Sequence, residues 1–175
     1  MTIQIDNREK DRAITKIIAD FDRMGIQHFS SKLFVGDYMS LDHPRICVER
    51  KQNLGELSIN VSDMPKKDKD GNIKRDKDGN KQTEWKRFSD ELKRAKEYGI
   101  KIIILCEHGK NFKSFEDIKK WVNPRLKESP LAISGDRLYK KLMVLKKLYG
   151  FDFVFCSKSE TGRKIIELLG EEKPR

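Results

Sequence analysis

Cysteine is scarce, with three among 175 residues. Cys47, Cys106 and Cys156 are odd in number and far apart, which excludes a disulfide framework. Each falls in an expected buried strand, where a reduced thiol acts as a small apolar residue. That usage points to a cytoplasmic protein. Histidine is as scarce. His28, His43 and His108 show no ligand spacing, so no zinc site is expected. No apolar run approaches the roughly 20 residues of a membrane-spanning helix, and the chain enters its first strand at once, so neither a membrane partner nor a signal peptide is expected. Acid is the minority charge, 28 Asp and Glu against 38 Lys and Arg, for a net +10. A basic excess suits a polyanion, because cations that neutralise phosphates release counterions. A merely soluble basic protein shows the same excess, so charge alone does not settle the partner.

The apolar residues, 37% of the chain, sit in periodic blocks, so one folded domain over residues 1–175 is expected. Strands are expected at 2–6, 33–41, 46–51, 101–106 and 151–156. The 101–106 run is apolar almost throughout, as when both faces of a sheet are covered. Helices are expected at 9–24, closed by Gly25, at 85–98, closed by Gly99, at 134–149, closed by Gly150, and at 159–169, closed by Gly170. Leu138, Leu142, Leu145 and Leu148 share one stripe of the third of these and read as core, or alternatively as a homodimer face. A short helix is expected over 54–61, and Ser114-Phe-Glu-Asp117 is a capping box opening another that runs to Val122. Residues 62–84 break the pattern as a charged insert. They contain Asp68-Lys-Asp-Gly-Asn72 and again Asp76-Lys-Asp-Gly-Asn80, which are hairpin turns or a flexible loop. Neither repeat ends in the closing Glu of a calcium loop. Helices between strands, with a central antiparallel hairpin, imply a three-layer α/β sandwich with a mixed central sheet and helices on both faces.

Residues 36–51, GDYMSLDHPRICVERK, are the most informative segment. Asp42-His43-Pro44-Arg45 is turn chemistry between two strands. Glu49 and Lys51 are two apart on the second strand and leave the same face of the sheet. The hairpin folds Asp37 back beside them. An acid, a gap and Glu-x-Lys is the layout of the metal-dependent nuclease site written PD-(D/E)-x-K. Two carboxylates suit a hard divalent cation, and Lys51 stands where it can orient a water or steady a phosphate. Taken alone, Glu-x-Lys reads better as an ion pair on a solvated strand face. Arg50 alternates to the other face.

The wider string resembles the XPF-type nuclease domain, the excision-repair cross-complementation group four family. Gly36-Asp37 followed by Glu49-Arg50-Lys51 is similar to its GD…ERK signature. Asp6-Asn7-Arg8-Glu9 is similar to its D-x-R-E. Arg87-Phe88, Glu91-Leu92 and Ile102–Leu105 resemble its helix and following strand, and the stretch from Phe151 to Ser159 resembles its closing strand and last helix. The resemblance implies a restriction-endonuclease-like fold and a divalent-metal-dependent endodeoxyribonuclease using Mg2+ or Mn2+. It implies Asp37, Glu49 and Asp6 as metal ligands, Lys51 as the catalytic lysine, and Arg50 and Glu9 as further catalytic residues. Arg8 reads as a phosphate clamp or as a partner of Asp6. Glu9 at a helix start reads alternatively as an offset to the helix dipole. Two features depart from the family. The aspartate four residues after the lysine is replaced by Gly55, with Glu56 beside it as a substitute, and the tandem helix-hairpin-helix module is missing. DNA contacts are then expected from the insert and its neighbour, through Lys66, Lys67, Lys74, Arg75 and Arg87, together with Arg8.

The expected reaction is hydrolysis of a DNA phosphodiester by in-line attack of an activated water, in branched, flap, fork or junction DNA at single/double-strand boundaries. The expected setting is a stand-alone phage or prophage-like form, acting in DNA repair or recombination in the cytoplasm of a bacterial or phage-infected host cell. A non-catalytic DNA-binding subunit or scaffold is the alternative, as is a restriction-like enzyme reading duplex sequence.

Overall fold

Strand β5 (Lys101–Glu107) sets the layers, because it is apolar on both sides. Ile102, Ile104 and Cys106 face one cluster of buried residues, Ile103 and Leu105 the other. In a computed structural model that describes residues 1–170, β5 belongs to a six-stranded sheet. The other strands are β1 (Thr2–Asp6), β2 (Gln27–Ser31), β3 (Tyr38–Ser40), β4 (Ile46–Lys51) and β6 (Asp152–Cys156). Their order across the sheet is β2-β1-β3-β4-β5-β6. Strands β1 and β2 pair in parallel, as do β4, β5 and β6, while β3 is antiparallel to both β1 and β4. One reversed strand of three residues thus joins two parallel halves.

Helices α1 (Asp11–Arg23) and α5 (Thr161–Gly170) cover one face, through Ile14, Ile17, Phe21, Ile165 and Leu169. Helices α2 (Leu54–Asn60), α3 (Glu84–Glu97) and α4 (Gly135–Tyr149) cover the other, through Leu54, Leu57, Phe88, Leu92, Leu138, Leu142 and Leu145. The arrangement is the expected three-layer α/β sandwich. Among the described residues no helix is long and apolar enough to cross a membrane. The three cysteines are free and buried. The last five positions of the expected 1–175 domain lie outside the described residues.

Several boundaries differ from the sequence reading. Strand β2 was not expected. It is an edge strand with all five residues exposed or half-buried, so Gln27–Ser31 carries no apolar alternation. The expected 33–41 strand shrinks to Tyr38–Ser40, because Gly36 takes a left-handed φ of 70° and the chain arcs before it can pair. Helix α1 begins at Asp11 rather than residue 9, so Glu9 sits in the turn before it and is no first-turn residue offsetting a dipole. The capping box at Ser114 opens a 3-10 turn, Phe115–Lys120, not an α-helix. Leu148 is half-exposed and leaves the core stripe.

The insert is hydrogen-bonded through hairpin turns. Three short limbs around Lys66, Lys74 and Gln82 close on each other. The Lys66 amide donates to the Gln82 carbonyl (2.8 Å), Gln82 to Lys74 (2.9 Å) and Lys74 to Lys66 (2.8 Å). The repeated Asp-Lys-Asp-Gly-Asn strings form the two tips. In each the first aspartate accepts the amides two and four residues on, and the glycine has positive φ. At the base, the Trp85 amide donates to the Ser62 carbonyl, and Lys141 Nζ of α4 donates to the Val61 carbonyl and to Asp63.

Candidate active site

Alternation along β4 sorts its charged residues. Val48 and Arg50 face α1 and α5, whereas Glu49 and Lys51 face α2 and α3. All of Cys47 to Lys51 is buried. Lys51 Nζ lies 2.6 Å from Glu49 Oε1 and 5.4 Å from the centre of the Phe88 ring. Such a pair is tolerated in a dry setting only because each charge answers the other.

Asp37 is fixed from both sides by the sheet. Its amide donates to the Val48 carbonyl (2.9 Å), and its carbonyl accepts from the Asp6 amide (2.8 Å). Its Oδ2 accepts the Arg50 amide at 2.8 Å. Gly36 makes this approach feasible. Beyond its positive φ, a Cβ there would lie 2.2 Å from Cys47 Sγ, so a side chain could fit only if the buried Cys47 thiol moved.

Charge within the site is unbalanced toward acid. Burial, and then the neighbouring Glu49, push the Asp37 carboxyl well above the usual carboxylate range. Burial and Glu49 likewise raise Glu91. Burial alone would lower the Lys51 ammonium, but Glu49 and Asp37 outweigh it and Lys51 ends raised. One lysine thus serves several acids.

Arg8, Glu9, Asp37, Glu49, Arg50, Lys51, Glu56 and Arg87 line one cavity of about 220 Å³, together with Asn60 and Glu91. Two routes bring them there. The face of β4 supplies Glu49 and Lys51. The turn after β1 supplies Arg8 and Glu9, where Arg50 reaches round the strand end to place Nη1 3.1 Å from Glu9 Oε2. Tyr38 Oη donates to the same Glu9 oxygen at 3.1 Å. Glu56 caps locally, its Oε2 accepting the Gln52 amide, with Oε1 4.0 Å from Lys51 Nζ. Gly55 sits in the first turn of α2.

Asp6, expected among the metal ligands, does not line this cavity. Its Oδ1 accepts the Arg8 amide and Nε, and its Oδ2 accepts Arg8 Nη2 and the Leu33 amide. Burial raises this carboxyl, but those hydrogen bonds outweigh it and leave it below the usual range. Asp6 therefore aims Arg8, whose guanidinium lines the cavity. Lys66 lines a neighbouring cavity, while Lys67, Lys74 and Arg75 line neither.

Two acids were missed. Glu91 accepts the Gly36 amide at 3.1 Å and pairs with Arg87 at 3.4 Å. Its signal was present, since 91 falls on the inward stripe of Phe88, Leu92 and Ala95. Glu107, at the end of β5, holds Arg50 Nε at 2.7 Å and accepts from Thr161 Oγ1 at 2.9 Å. Its Oε2 is buried with no hydrogen-bond partner among the described residues.

Among the described residues no three His, Cys, Asp or Glu side chains converge as a ready metal cluster. A hard divalent cation that keeps most of its waters needs only one or two carboxylates. The raised Asp37 carboxyl beside Glu49 is what two such ligands show before a cation neutralises them. The donor set fits a magnesium-like ion through Asp37 and Glu49.

Residues 5–168 match the family model described as the ERCC4 domain. Two solved structures are similar over nearly the whole chain. XPF from Aeropyrum pernix is 17% identical with a TM-score of 0.60, the alignment covering 97% of this chain and 63% of that one. XPF from Aeropyrum pernix in complex with DNA is 18% identical with a TM-score of 0.58 and the same coverage. The present chain thus spans under two thirds of those chains, and at such identity the likeness concerns the fold. No curated protein matches.

Proposed function

Because this chain belongs to the ERCC4 domain family, we propose that it is a divalent-metal-dependent DNA endonuclease that hydrolyses phosphodiesters in branched DNA. The observation that carries this reading is the buried Glu49–Lys51 pair facing the same cavity as Asp37, whose carboxyl is held high by its neighbours. The solvated ion-pair face that Glu-x-Lys alone suggests is not what this strand presents, since Lys51 is 4% exposed. Asp37 and Glu49 are the groups that would hold Mg2+ or Mn2+, which when bound lowers the pKa of water and offsets the charge that develops on phosphate.

The chain's own residues do the rest. Lys51 stays protonated and anchored to Glu49, so it supplies a fixed positive charge beside the phosphoryl oxygens. Arg8, aimed by Asp6, and Arg87, braced by Glu84 and Glu91, offer guanidinium donors from the rim to flanking phosphates. Glu9, held by Arg50 and Tyr38, presents a carboxylate that can position water. Preference for branches rests on the family membership.

The test is incubation with Mg2+ or Mn2+ and labelled flap, fork, four-way and linear DNAs. Cleavage of branched forms ahead of linear DNA, absent with EDTA, is the expected result. Tight DNA binding with no cleavage under any divalent ion would make the protein a non-catalytic binding subunit instead.

A further inference from the structure

A second cavity, of about 270 Å³, adjoins the acid pocket and shares Arg8, Arg87 and Glu91 with it. Lys86, Asp90 and Arg94 of α3 line it beyond that shared wall, with Lys66 and Gln82 of the insert on its other side. Lys86, Asp90, Arg94 and Tyr98 follow one another at four-residue steps, so they form a single ridge along α3 and its C-terminal cap. At the helical rise this ridge runs about 18 Å away from the insert.

The far end of the ridge is aromatic and open. Tyr98 is 68% exposed and Phe34 51% exposed. Their rings meet edge to face at 4.8 Å, and the Arg94 guanidinium lies 5.9 Å from the Phe34 ring. Phe34 belongs to the same loop that delivers Asp37. Neither ring is needed by the core, since both leave most of their surface in solvent. Among the described residues no carboxylate pairs with Arg94. The pairs that the other cations make, Lys86 with Asp90 at 3.0 Å and Lys66 with Glu84 at 3.7 Å, lie near the surface, where ion pairs are weak and screened. Phosphates can displace them.

We propose that this ridge is a single-stranded DNA path. Backbone phosphates lie in the cleft of Arg8, Lys66, Lys86 and Arg94, and an unpaired base stacks on Phe34 and Tyr98. A basic groove that ends in open aromatic rings is the combination that holds single strands without reading sequence, because every base offers a π face and every nucleotide a phosphate. Duplex DNA cannot use the rings, since its bases are stacked on one another. The path rests on the nuclease reading, in which the strand continues from the acid pocket past Arg8 and Arg87, and it assigns the unpaired arm of the substrate to α3.

The experiment is fluorescence anisotropy of labelled oligo(dT) and of a blunt duplex, in EDTA, over a salt series. For Phe34→Ala/Tyr98→Ala, oligo(dT) affinity should fall about tenfold or more with the salt slope unchanged, while duplex affinity holds. For Lys86→Ala/Arg94→Ala, the slope for oligo(dT) should drop by about 0.7 per cation removed. Val144→Ala/Leu148→Ala, which removes exposed apolar surface from α4 instead, should change nothing. Thermal unfolding checks that each variant is folded. Wild-type affinity in the ring variant, an equal loss in the α4 control, or a ring variant that changes only the oligomeric state would overturn the path while leaving the nuclease reading standing. A wild-type protein that binds no DNA of any form would overturn both.

Discussion

Lys51 Nζ lies 2.6 Å from Glu49 Oε1, with both side chains buried and Asp37 lining the same cavity. Replacing the lysine should therefore do two separable things. Lys51→Ala should still bind Mn2+ in isothermal titration, because lysine is no ligand, yet turnover should fall by about a hundredfold or more. In EDTA the variant should also unfold at lower temperature than wild type, since Glu49 loses its counter-charge. Loss of Mn2+ binding in a folded variant would contradict the assigned role.

Asp37→Asn and Glu49→Gln should each abolish cleavage, by about a hundredfold or more, with DNA binding nearly intact. The same Asp37→Asn change should raise the melting temperature in EDTA. The sign follows from the raised Asp37 and Glu91 carboxyls. A carboxyl raised on folding contributes stability below its unfolded pKa and loses it as pH climbs through the folded value. The metal-free protein should thus weaken from mildly acidic toward neutral pH, and saturating Mg2+ should flatten that decline. A melting profile in EDTA that is level or rising over this range would refute the charge assignment.

Arg50 and Glu107 form a buried pair on the opposite face of the sheet, 2.7 Å apart. Glu107→Ala should cost up to about 3 kcal/mol in urea unfolding, because Arg50 Nε loses its buried carboxylate while Nη1 keeps Glu9. Glu107→Gln should be milder, as the amide oxygen can still accept from Arg50. Equal costs for the two would show that shape rather than charge matters there.

Deleting residues 66–81 and bridging with a short Gly-Ser link should leave the melting temperature within a few degrees. The limbs hydrogen-bond mainly to each other, and the base contacts at Ser62, Asp63 and Trp85 lie outside the cut. The segment carries seven Lys and Arg against four Asp, so DNA binding should weaken about tenfold, with a shallower salt dependence. A variant that unfolds would make the three-limb ring a structural support, and unchanged binding at low salt would make it a bystander.

The site was legible in sequence where it is local. Asp37, Glu49 and Lys51 come from one hairpin, and strand alternation alone sets Glu49 and Lys51 together. Glu91 left one mark, its place on the inward stripe of Phe88, Leu92 and Ala95, but Glu107 left none, because it arrives from elsewhere in the chain and 38% of the residues are charged. Such an acid has no mark among so many solvated ones until tertiary contacts enclose it. The surroundings of Asp6 were hidden for a related reason. It sits at a strand end beside the cavity, and only the hydrogen-bond geometry shows that both its oxygens accept from Arg8 and Leu33. Strand β2 escaped notice because an edge strand with exposed sides needs no apolar pattern, while the reversal at Gly36 turned an extended-looking run into an arc.

The single reversed strand also has a kinetic consequence. Strand β3 reaches β4 through a short connection, so the pairing that sets Asp37 beside the Arg50 amide closes at little entropic cost. The parallel pairings of β4 with β5 and β5 with β6 require long crossovers. Two repelling carboxylates are then forced together early, before the helices that bury them have docked. Asp37→Asn should accordingly speed refolding in EDTA more than it slows unfolding, placing the residue in the folding nucleus. Stopped-flow chevrons would show this as a shift confined to the folding limb, whereas a shift confined to the unfolding limb would place formation of the acid pair after the rate-limiting step.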